Sequence, residues 1–362
     1  MKRILLFAAL LCLTVAATAQ TPADVKYVYT EASTLTLTGK LMDTPVPYHR
    51  VDTVKFKGFT KGENNQVRNS SGIAVAFYTN SSAISIKTVY GEIGRPTNTN
   101  GIAARGYDLY IRKDGKWLWA AAGVPSDANL DKPYTLIKDM DRDMKECLLY
   151  LPLYSEVLSV KIGVEEGSTL DSAPNPFRHR IGIFGSSYTH GSSTGRAGMA
   201  YPAQFSRNTG LQLLSLGCSG NSKLQDYFAD VLAAADVDAF IFDAFSNPNP
   251  TMIKERLFPF IEKIQAAHPG KPLIFQRTIY RESRNFNNGS SASESAKLAM
   301  ADSLMKIACK KYKDVYYIYP DATAKNHEAS IDGTHPSNYG YQLWAESIEK
   351  PVKRILKKYG IK

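Results

Sequence analysis

Cysteine is scarce in this sequence, and the few that occur form no recognisable motif. Of the four cysteines, Cys12 lies in an apolar N-terminal segment, and Cys147, Cys218 and Cys309 are widely separated. Three distant cysteines argue against a disulfide framework, and the lack of CxxC or Cys/His clusters argues against a zinc site. We therefore expect these three residues to be small, buried apolar side chains.

Long apolar runs are confined to the start of the chain. Lys2 and Arg3 precede the apolar stretch 4–15, and small residues then lead to Gln20, which is the layout of a cleavable export signal. No later run reaches the roughly 18 apolar residues that a membrane-spanning helix needs. We predict a signal peptide at residues 1–19, no transmembrane segment in the mature protein, and a periplasmic or extracellular location.

Acidic residues are fewer than basic ones, but the surplus of positive charge is moderate. The formal net charge is +10, and it falls to +8 without Lys2 and Arg3. Much of the surplus lies in the C-terminal segment KPVKRILKKYGIK, where cations complement the negative end of a helix. Nucleic-acid binding would require basic residues interleaved with base-stacking aromatics. Because no such motif occurs, we predict no nucleic-acid partner.

Two parts of the chain differ in hydrophobic periodicity. Between about residues 26 and 166 the apolar residues mostly recur at every second position, as at Ile73, Val75 and Phe77. This alternation is typical of half-buried strands, and many short strands without helical patterns predict an antiparallel β-sandwich. Glycine, serine and two prolines then interrupt the pattern, so we place a domain boundary near residue 175 and assign residues 20–175 to the sandwich.

Residues 176–362 alternate short apolar runs with longer stretches of helical spacing. This order is typical of an α/β domain, with a parallel sheet covered by helices on both faces. We expect the polar, turn-rich segment 285–295 to form a mobile surface loop that leads into a helix. The sequence predicts strands near 180–185, 212–216, 239–243, 272–276 and 315–318, and helices near 199–208, 222–235, 251–267, 292–313 and 339–359.

The stretch FGSSYTHG, residues 184–191, directly follows the first of these strands. It places Ser186 and Ser187 on a tight turn at the carboxyl edge of the sheet, where open α/β sheets bind ligands. The GxSxG elbow of α/β hydrolases is excluded, because position 189 is threonine. From these residues alone, either serine could be a nucleophile or only a helix cap, since a nucleophilic serine also needs a base within hydrogen-bonding reach.

A candidate base lies near the end of the chain, in SIDGTHPSNYGYQLW. Asp332 and His335 are three residues apart in a turn before the last predicted helix. A carboxylate at this spacing can accept the Nδ1 proton of the histidine and leave Nε2 as a general base. The alternative is a turn aspartate and a surface histidine beside a helix start that is capped by Ser337 or Asn338.

Four blocks of the sequence resemble those of the SGNH, or GDSL-type, serine hydrolases. GSSYT resembles their GDSxT block, LSLGCSGNSKL the second block, DAFIFDAFSNPNP the third and IDGTHPS the DxxH block. The stretch 185–232 is especially similar to a secreted branch in which a β-sandwich precedes the hydrolase domain. The resemblance implies a flavodoxin-like three-layer α/β/α domain in residues 176–362, a jelly-roll-like sandwich before it, and ester hydrolysis without a metal or organic cofactor.

The resemblance also assigns roles to individual residues. Ser187 would attack the acyl carbon, His335 would take and return the proton, and Asp332 would orient His335. The developing oxyanion would be held by the backbone N–H groups of Ser187 and Gly220 and by the side-chain amide of Asn247. Such donors are what the chemistry needs, since the loss of one oxyanion contact typically costs about 3 kcal/mol of transition-state stabilisation.

The sequence departs from the family blocks at two places. Ser186 stands where the family usually has aspartate, which changes the hydrogen bonding that braces the turn. The third block reads SNPNP and lacks the usual GxND arrangement, so Asn249 is an alternative to Asn247 in the amide role, and either asparagine could be a turn residue before proline.

Other residues near the blocks have two interpretations each. Tyr188 could form a wall of the acyl pocket or pack on the sheet, and His190 could line the substrate entrance or hydrogen-bond at the helix start. Arg277 and Tyr280 follow a predicted strand at the same edge of the sheet, where either could contact substrate or simply lie on the surface.

These features predict an exported serine esterase that removes acetyl or another short acyl group from a small-molecule or polysaccharide ester. The preference for carbohydrate rests on the resemblance and on the preceding sandwich. One alternative is a lipid or lysophospholipid esterase, which would need a larger apolar acyl site. The other is a glycan-binding protein with an inactive hydrolase domain, for which Ser186 and the irregular third block would be the signs.

Overall fold

The computed structural model describes residues 25–362, so the predicted signal peptide at residues 1–19 lies outside the described residues. The N-terminal part of the described chain contains two antiparallel sheets, and the C-terminal part contains one parallel sheet. Within residues 25–362, no helix has both the length and the apolar character needed to cross a membrane.

The N-terminal part consists mainly of short strands. Its elements are β1 (Tyr27–Glu31), β2 (Thr36–Thr38), α1 (Lys61–Arg68), β3 (Ala74–Thr79), β4 (Ile84–Ile93), α2 (Gly101–Arg105), β5 (Tyr107–Lys113), β6 (Lys116–Gly123), β7 (Tyr134–Ile137), β8 (Lys145–Tyr150), β9 (Ser155–Glu165) and β10 (Leu170–Ser172). One sheet has the order β1-β9-β4-β7, and the other has the order β10-β3-β8-β5-β6 with β2 paired to β3.

A hydrophobic core lies between the two antiparallel sheets. Val75 and Phe77 of β3 and Ile84 and Ile86 of β4 are buried together in it, so the alternation in the sequence corresponds to the inner faces of both sheets. Antiparallel pairing and a shared core are therefore as predicted, whereas the more specific jelly-roll-like sandwich stays a prediction.

The C-terminal part alternates strands and helices. Its elements are β11 (Arg178–Gly185), α3 (Ser187–His190), α4 (Tyr201–Thr209), β12 (Leu211–Gly217), α5 (Asp226–Ala233), β13 (Ala239–Asp243), α6 (Pro250–Ala267), β14 (Leu273–Gln276), α7 (Asn288–Lys311), β15 (Val315–Ile318) and α8 (Asn338–Lys357). The predicted boundary near residue 175 falls between β10 and β11; the division into domains stays a prediction.

The parallel sheet has the strand order β12-β11-β13-β14-β15, which is the flavodoxin-like order 2-1-3-4-5. Helices α5, α6 and α7 pack on one face, where Phe184 and Phe242 are buried. Helices α4 and α8 pack on the other face, against Ile183 and Ile241. The sheet is thus the middle of three layers, and its switch point, where ligands bind in such folds, lies between β11 and β13.

Three local predictions differ from the structure. Helix α7 begins at Asn288, inside the segment predicted to be a loop, because the Asn287 side chain accepts a hydrogen bond from the N–H of Ser290 and caps the helix. Cys309 is exposed on α7, although Cys147 and Cys218 are buried as expected. The short helices α1 and α2 were not predicted, because a strand period dominates their surroundings.

Candidate active site

Ser187 is the first residue of the short helix α3, directly after β11. Ser186 caps this helix, and its Oγ accepts a hydrogen bond from the N–H of Tyr188 at 3.2 Å. A Cβ atom at Gly185 would overlap the side chain of Thr189, so the tight strand-to-helix turn requires glycine there. The turn leaves the Ser187 side chain at the carboxyl edge of the sheet, in the wall of a cleft.

The structure brings Ser187, His335 and Asp332 into one hydrogen-bonded line. The Oγ of Ser187 lies 2.9 Å from Nε2 of His335, although 148 positions separate the two residues. On the other side of the ring, Nδ1 of His335 donates to Oδ2 of Asp332 at 2.8 Å. This arrangement fixes the tautomer that leaves Nε2 free to accept the serine proton.

Asp332 is held by donors from its own turn and from the N-terminal part of the chain. Its Oδ1 accepts the backbone N–H groups of Thr334 at 2.9 Å and His335 at 2.7 Å. Its Oδ2 also accepts Nδ2 of Asn98 at 3.0 Å, and the same nitrogen lies 3.2 Å from Nδ1 of His335. Burial raises the pKa of Asp332, but these hydrogen bonds outweigh it and hold the pKa well below its usual value.

Ser186 replaces the usual aspartate of the GDSxT block, and the structure shows how the turn is braced without it. The carboxylate of Asp243, at the end of β13, accepts the N–H of Ser186 at 3.0 Å and its Oγ at 2.7 Å. It also accepts the hydroxyls of Thr189 at 3.2 Å and Ser246 at 3.1 Å. Burial raises the pKa of Asp243, while these four hydrogen bonds favour its charged form.

The three expected oxyanion donors lie around the same cleft. The N–H of Ser187 is in the first turn of a helix, where the helix itself offers no acceptor. Gly220 follows β12 with φ of +72°, and a Cβ there would meet no atom within 4 Å, because the position faces open space. The Oδ1 of Asn247 accepts the N–H of Ser222 at 3.3 Å, which leaves its NH2 group as the donor.

Asn249, the alternative to Asn247, has a different task. Its side chain caps helix α6 by accepting the N–H of Met252 at 2.8 Å. Asn247 lines the cleft together with Ser187, whereas Asn249 is not among the residues that line it. The geometry therefore favours Asn247 as the amide donor.

The cleft has a volume of about 810 Å³ and lies between the two parts of the chain. The C-terminal part contributes Ser187, Gly220, Asn247, Arg281 and His335 among others. The N-terminal part contributes residues of α1 and the residue after it, the end of β4 and the segment that follows β4, including Asn65, Gln66, Asn69, Glu92, Ile93, Arg95, Pro96 and Asn98. Neither part forms the cleft alone.

Arg281 lines the cleft, whereas Arg277 and Tyr280, the two residues that the sequence suggested, do not. Arg277 is bound instead by Asp302 of α7, with Nε 3.0 Å from Oδ1, and Tyr280 donates its hydroxyl to Asn285 at 2.6 Å. The guanidinium of Arg281 donates to the hydroxyl of Tyr188 and to the carbonyl of Ser246 at the cleft wall. The sequence QRTIYRESR, residues 276–284, indicated that this segment lies at the edge of the sheet, but it did not indicate that Arg281 is the residue that lines the cleft.

Tyr188 and His190 are buried and do not line the cleft. Tyr188 packs edge-on against Trp344 of α8, with 5.4 Å between ring centroids, so it is a packing residue. His190 donates from Nε2 to the carbonyl of Leu153 at 2.6 Å and stacks on Tyr154 at 4.2 Å. Burial lowers the pKa of His190 well below its usual value, and the neutral ring joins the two parts of the chain.

Asn98 and Asp243 are functional-site contacts that sequence reasoning missed. Asn98 lies 234 positions from Asp332, and Asp243 lies 57 positions from Ser186. No local spacing signals contacts at such separations. Within residues 25–362, no three His, Cys, Asp or Glu side chains form a group that could hold a metal ion, and the expected absence of a cofactor stays a prediction.

Comparison with known proteins supports the interpretation of both parts of the chain. Residues 178–353 match the GDSL-like lipase/acylhydrolase family, and residues 25–170 match the N-terminus of SGNH hydrolase-type esterases. A protein from Bacteroides ovatus described as a GDSL-like lipase is 36% identical, with a TM-score of 0.88 over 92% of this chain and 98% of that one. No curated protein sequence matches significantly.

Two more distant structures share the fold. A salicylyl acyltransferase from a tetracycline biosynthetic pathway is 18% identical, with a TM-score of 0.68 over 92% of this chain and 98% of that one. An acetyl xylan esterase from Butyrivibrio proteoclasticus is 13% identical, with a TM-score of 0.53 over 91% of this chain and 99% of that one. The four blocks and the long match to the Bacteroides ovatus protein lead to one conclusion: the chain belongs to the GDSL-like, or SGNH, family and is an ester hydrolase.

Proposed function

We propose that this protein is an exported serine esterase that removes acetyl or another short acyl group from a carbohydrate. The observation that carries the proposal is the hydrogen-bonded line from Ser187 through His335 to Asp332, at 2.9 and 2.8 Å, in the wall of an open cleft. An inactive glycan-binding protein would have no need to keep a nucleophile and base at reaction distance.

The reaction proceeds in two steps. The Oγ of Ser187 attacks the acyl carbon while Nε2 of His335 takes the hydroxyl proton, and Asp332 stabilises the imidazolium that forms. The N–H groups of Ser187 and Gly220 and the amide of Asn247 stabilise the oxyanion. His335 then protonates the leaving sugar oxygen, which leaves an acyl group on Ser187. In the second step a water molecule attacks the acyl carbon while His335 takes its proton; the bond from the acyl carbon to Oγ of Ser187 then breaks, His335 returns the proton to Oγ, and the carboxylic acid leaves.

The lining of the cleft supports a carbohydrate rather than a lipid. Most of its side chains from the N-terminal part are amides or charged groups, and only Ile93 and Pro96 among the lining residues of the described chain are aliphatic. A long acyl chain needs a larger apolar wall, since burial of each CH2 group contributes only about 0.8 kcal/mol. The structural neighbour named as an acetyl xylan esterase is consistent with this preference.

Fluorophosphonate labelling and p-nitrophenyl esters of increasing chain length test the proposal. We expect the probe to label the wild type but not Ser187→Ala. The control is Ser168→Ala, a change at a loop residue that does not line the cleft, and it should be labelled like the wild type. We expect acetate and propionate to be hydrolysed faster than octanoate or longer esters. A preference for long chains would support the lipid esterase, and a wild type that is neither labelled nor active would support the glycan-binding alternative.

Export is proposed on the sequence of residues 1–19, with its basic pair, apolar stretch and small residues before Gln20. N-terminal sequencing of the protein expressed from the full gene tests it. We expect the mature chain to begin at Gln20 and to be recovered outside the cytoplasm. Recovery of an uncleaved chain in the cytoplasmic fraction would contradict the proposal.

A further inference from the structure

A second cleft adjoins the active site at Asn98. It has a volume of about 500 Å³ and is lined by Asn98 and Asn100 of the N-terminal part and by Ser193, Ile331, Asn338 and Tyr339 of the C-terminal part. Asn98 lines the catalytic cleft as well. A ligand that occupied both clefts would therefore pass directly beside the hydrogen bond between Asn98 and Asp332.

The chemistry of this second cleft fits a neutral, hydroxyl-rich ligand. Its lining residues are amides, hydroxyls, one glycine and two partly exposed apolar side chains, and none carries a charge. Tyr339 is 54% exposed and Ile331 is 58% exposed, although both are large and apolar. A sugar ring presents hydroxyls at its edge and C–H groups on its faces, so it matches amides on one side and an aromatic ring on the other.

Ser193 gives a second, independent indication of a ligand. It is only 6% exposed, yet its hydroxyl has no hydrogen-bond partner among residues 25–362. Its φ is +66°, in the left-handed region that few residues other than glycine adopt. Strained backbones cluster at functional sites, and a buried polar group without a protein partner is explained when a ligand supplies that partner.

The wall around Ser193 is fixed in place by hydrogen bonds. The N–H of Ser193 donates to Oγ1 of Thr99 at 3.0 Å. The neighbouring Gly195 donates its N–H to Oδ1 of Asn338 at 2.7 Å and accepts Nδ2 of Asn100 at 3.0 Å. Because these bonds join a loop of the N-terminal part, the segment after α3 and the start of α8, the cleft is formed before any ligand binds.

We propose that the second cleft is a glycan subsite, which binds a sugar unit next to the one that carries the scissile ester. Tyr339 packs against a face of this sugar and the amides bind its hydroxyls, and Ser193 joins them after a rotation of its side chain brings the buried Oγ to the cleft. The substrate is therefore an acylated oligosaccharide or polysaccharide rather than an acylated monosaccharide. This inference rests on the proposed esterase function, which it deepens.

Tyr339→Ala tests the subsite, with Tyr319→Ala as the matched control. Tyr319 is also an exposed tyrosine, at 66%, but its ring packs at a tilt against Tyr317, and it lines neither cleft. The measurement is kcat/KM on p-nitrophenyl acetate and on acetylated oligosaccharides of one to six units derived from xylan, cellulose and glucomannan. We expect Tyr339→Ala to lower kcat/KM on the best oligosaccharide about tenfold, with little change on p-nitrophenyl acetate or on the monosaccharide.

A binding measurement separates the subsite from the chemistry. Calorimetric titration of Ser187→Ala with the unacetylated hexasaccharide of the same series should give binding that the double variant Ser187→Ala/Tyr339→Ala loses. Equal oligosaccharide kinetics for Tyr339→Ala and Tyr319→Ala, or no gain in kcat/KM with chain length in any series, would overturn the subsite while leaving the esterase function intact. A wild type inactive on p-nitrophenyl acetate would instead overturn the proposed function.

Discussion

Asn98 donates a hydrogen bond to Asp332 at 3.0 Å, and this contact connects the N-terminal part of the chain to the hydrogen-bonded line of the active site. The asparagine lies in the segment between β4 and α2, and the aspartate lies in the turn before α8. The other donors to this carboxylate come from its own turn. The orientation of Asp332, and through it of His335, therefore depends on how the two parts of the chain meet.

Replacement of Asn98 by alanine should lower kcat more than it changes KM. The variant removes a donor to Asp332, so the carboxylate and the His335 ring are held less firmly. We expect kcat on p-nitrophenyl acetate to fall about tenfold, the equivalent of ~1.4 kcal/mol, because the small substrate gains no binding from Asn98. Asn80→Ala is the control, since Asn80 is also a loop asparagine but lines neither cleft, and its Oδ1 accepts the backbone N–H of Thr169. Equal kcat values for the two variants would contradict a positioning role.

The same variant should change the pH dependence of stability. Asn98 helps to hold the pKa of Asp332 well below its usual value. The interaction therefore stabilises the folded state fully at pH values above the pKa that Asp332 has in the unfolded chain. The contribution is lost as the pH falls from about 4 toward the lowered folded pKa. We expect urea unfolding to show a stability difference between wild type and Asn98→Ala near neutral pH that shrinks at about pH 3. A difference that grew on acidification would have the wrong sign for this explanation.

Alanine variants of Asn247 and Asn249 should affect different properties: the first should lower activity and the second should lower stability. Asn247→Ala removes the proposed amide donor to the oxyanion, so kcat should fall by about 100- to 1,000-fold with little loss of stability. Asn249→Ala removes the cap of helix α6 instead, so it should cost about 1 kcal/mol of unfolding free energy and leave kcat nearly unchanged. Esterase kinetics and urea unfolding of both variants test this. The reverse pattern would move the amide role to Asn249.

Gly220→Ala should damage activity out of proportion to its effect on stability. The φ of Gly220 is +72°, and that of Gly115 in the β5–β6 turn is +77°; at both positions a Cβ would meet no atom within 4 Å. Each alanine variant should therefore lose about 1 kcal/mol of stability through backbone strain alone. Only Gly220 lies in the cleft, where a methyl group would obstruct the approach of the acyl group to the backbone N–H. Similar kcat/KM values for the two variants would argue against Gly220 in the oxyanion hole.

The parts of the site that could be predicted from the sequence are those encoded locally. Ser187 follows a predicted strand, so its place at the edge of the sheet could be predicted from periodicity, and the spacing of Asp332 and His335 allowed a contact between them. Their assignment with Ser187 to one site came from the resemblance of both blocks to the SGNH hydrolases. Asn98 and Asp243 could not be found in this way, because their contacts with Asp332 and Ser186 join residues that are 234 and 57 positions apart in the sequence.

For the fold, too, the features that could be predicted are those encoded by neighbouring residues in the sequence. The strand and helix periods predicted the parallel sheet and the two antiparallel sheets, because burial of one face leaves a pattern in consecutive residues. The start of α7 was missed because the segment 285–295 is rich in asparagine and serine, residues that favour both turns and helix caps. The cleft between the two parts of the chain could not be predicted from such a pattern, because its residues meet only in the folded chain. They include residues from α1, from the end of β4 and the segment after it, and from the segments that follow β11, β12, β13, β14 and β15.

Restoration of the family's usual aspartate at position 186 should destabilise this protein rather than improve it. The Oγ of Ser186 lies 2.7 Å from Oδ2 of the buried Asp243, so Ser186→Asp would place two carboxyl groups in contact. Two such groups share one proton, and the pKa of the pair's second ionisation is raised. When the pKa of a carboxyl group is raised in the folded state, the folded state loses stability as the pH rises through that raised pKa.

Urea unfolding at about pH 4.5 and about pH 8 checks this, with Ser186→Asn as a neutral control of equal size. We expect Ser186→Asp to be less stable than Ser186→Asn by about 2 to 4 kcal/mol near pH 8, and by much less near pH 4.5. The kcat of Ser186→Asp should also fall at the higher pH, because the turn that carries Ser187 shifts away from Asp243. Equal stability of the two variants at both pH values would contradict this prediction, because it would show that a carboxylate at position 186 is tolerated beside Asp243. The presence of serine at position 186 would then not be explained by the aspartate at the end of β13.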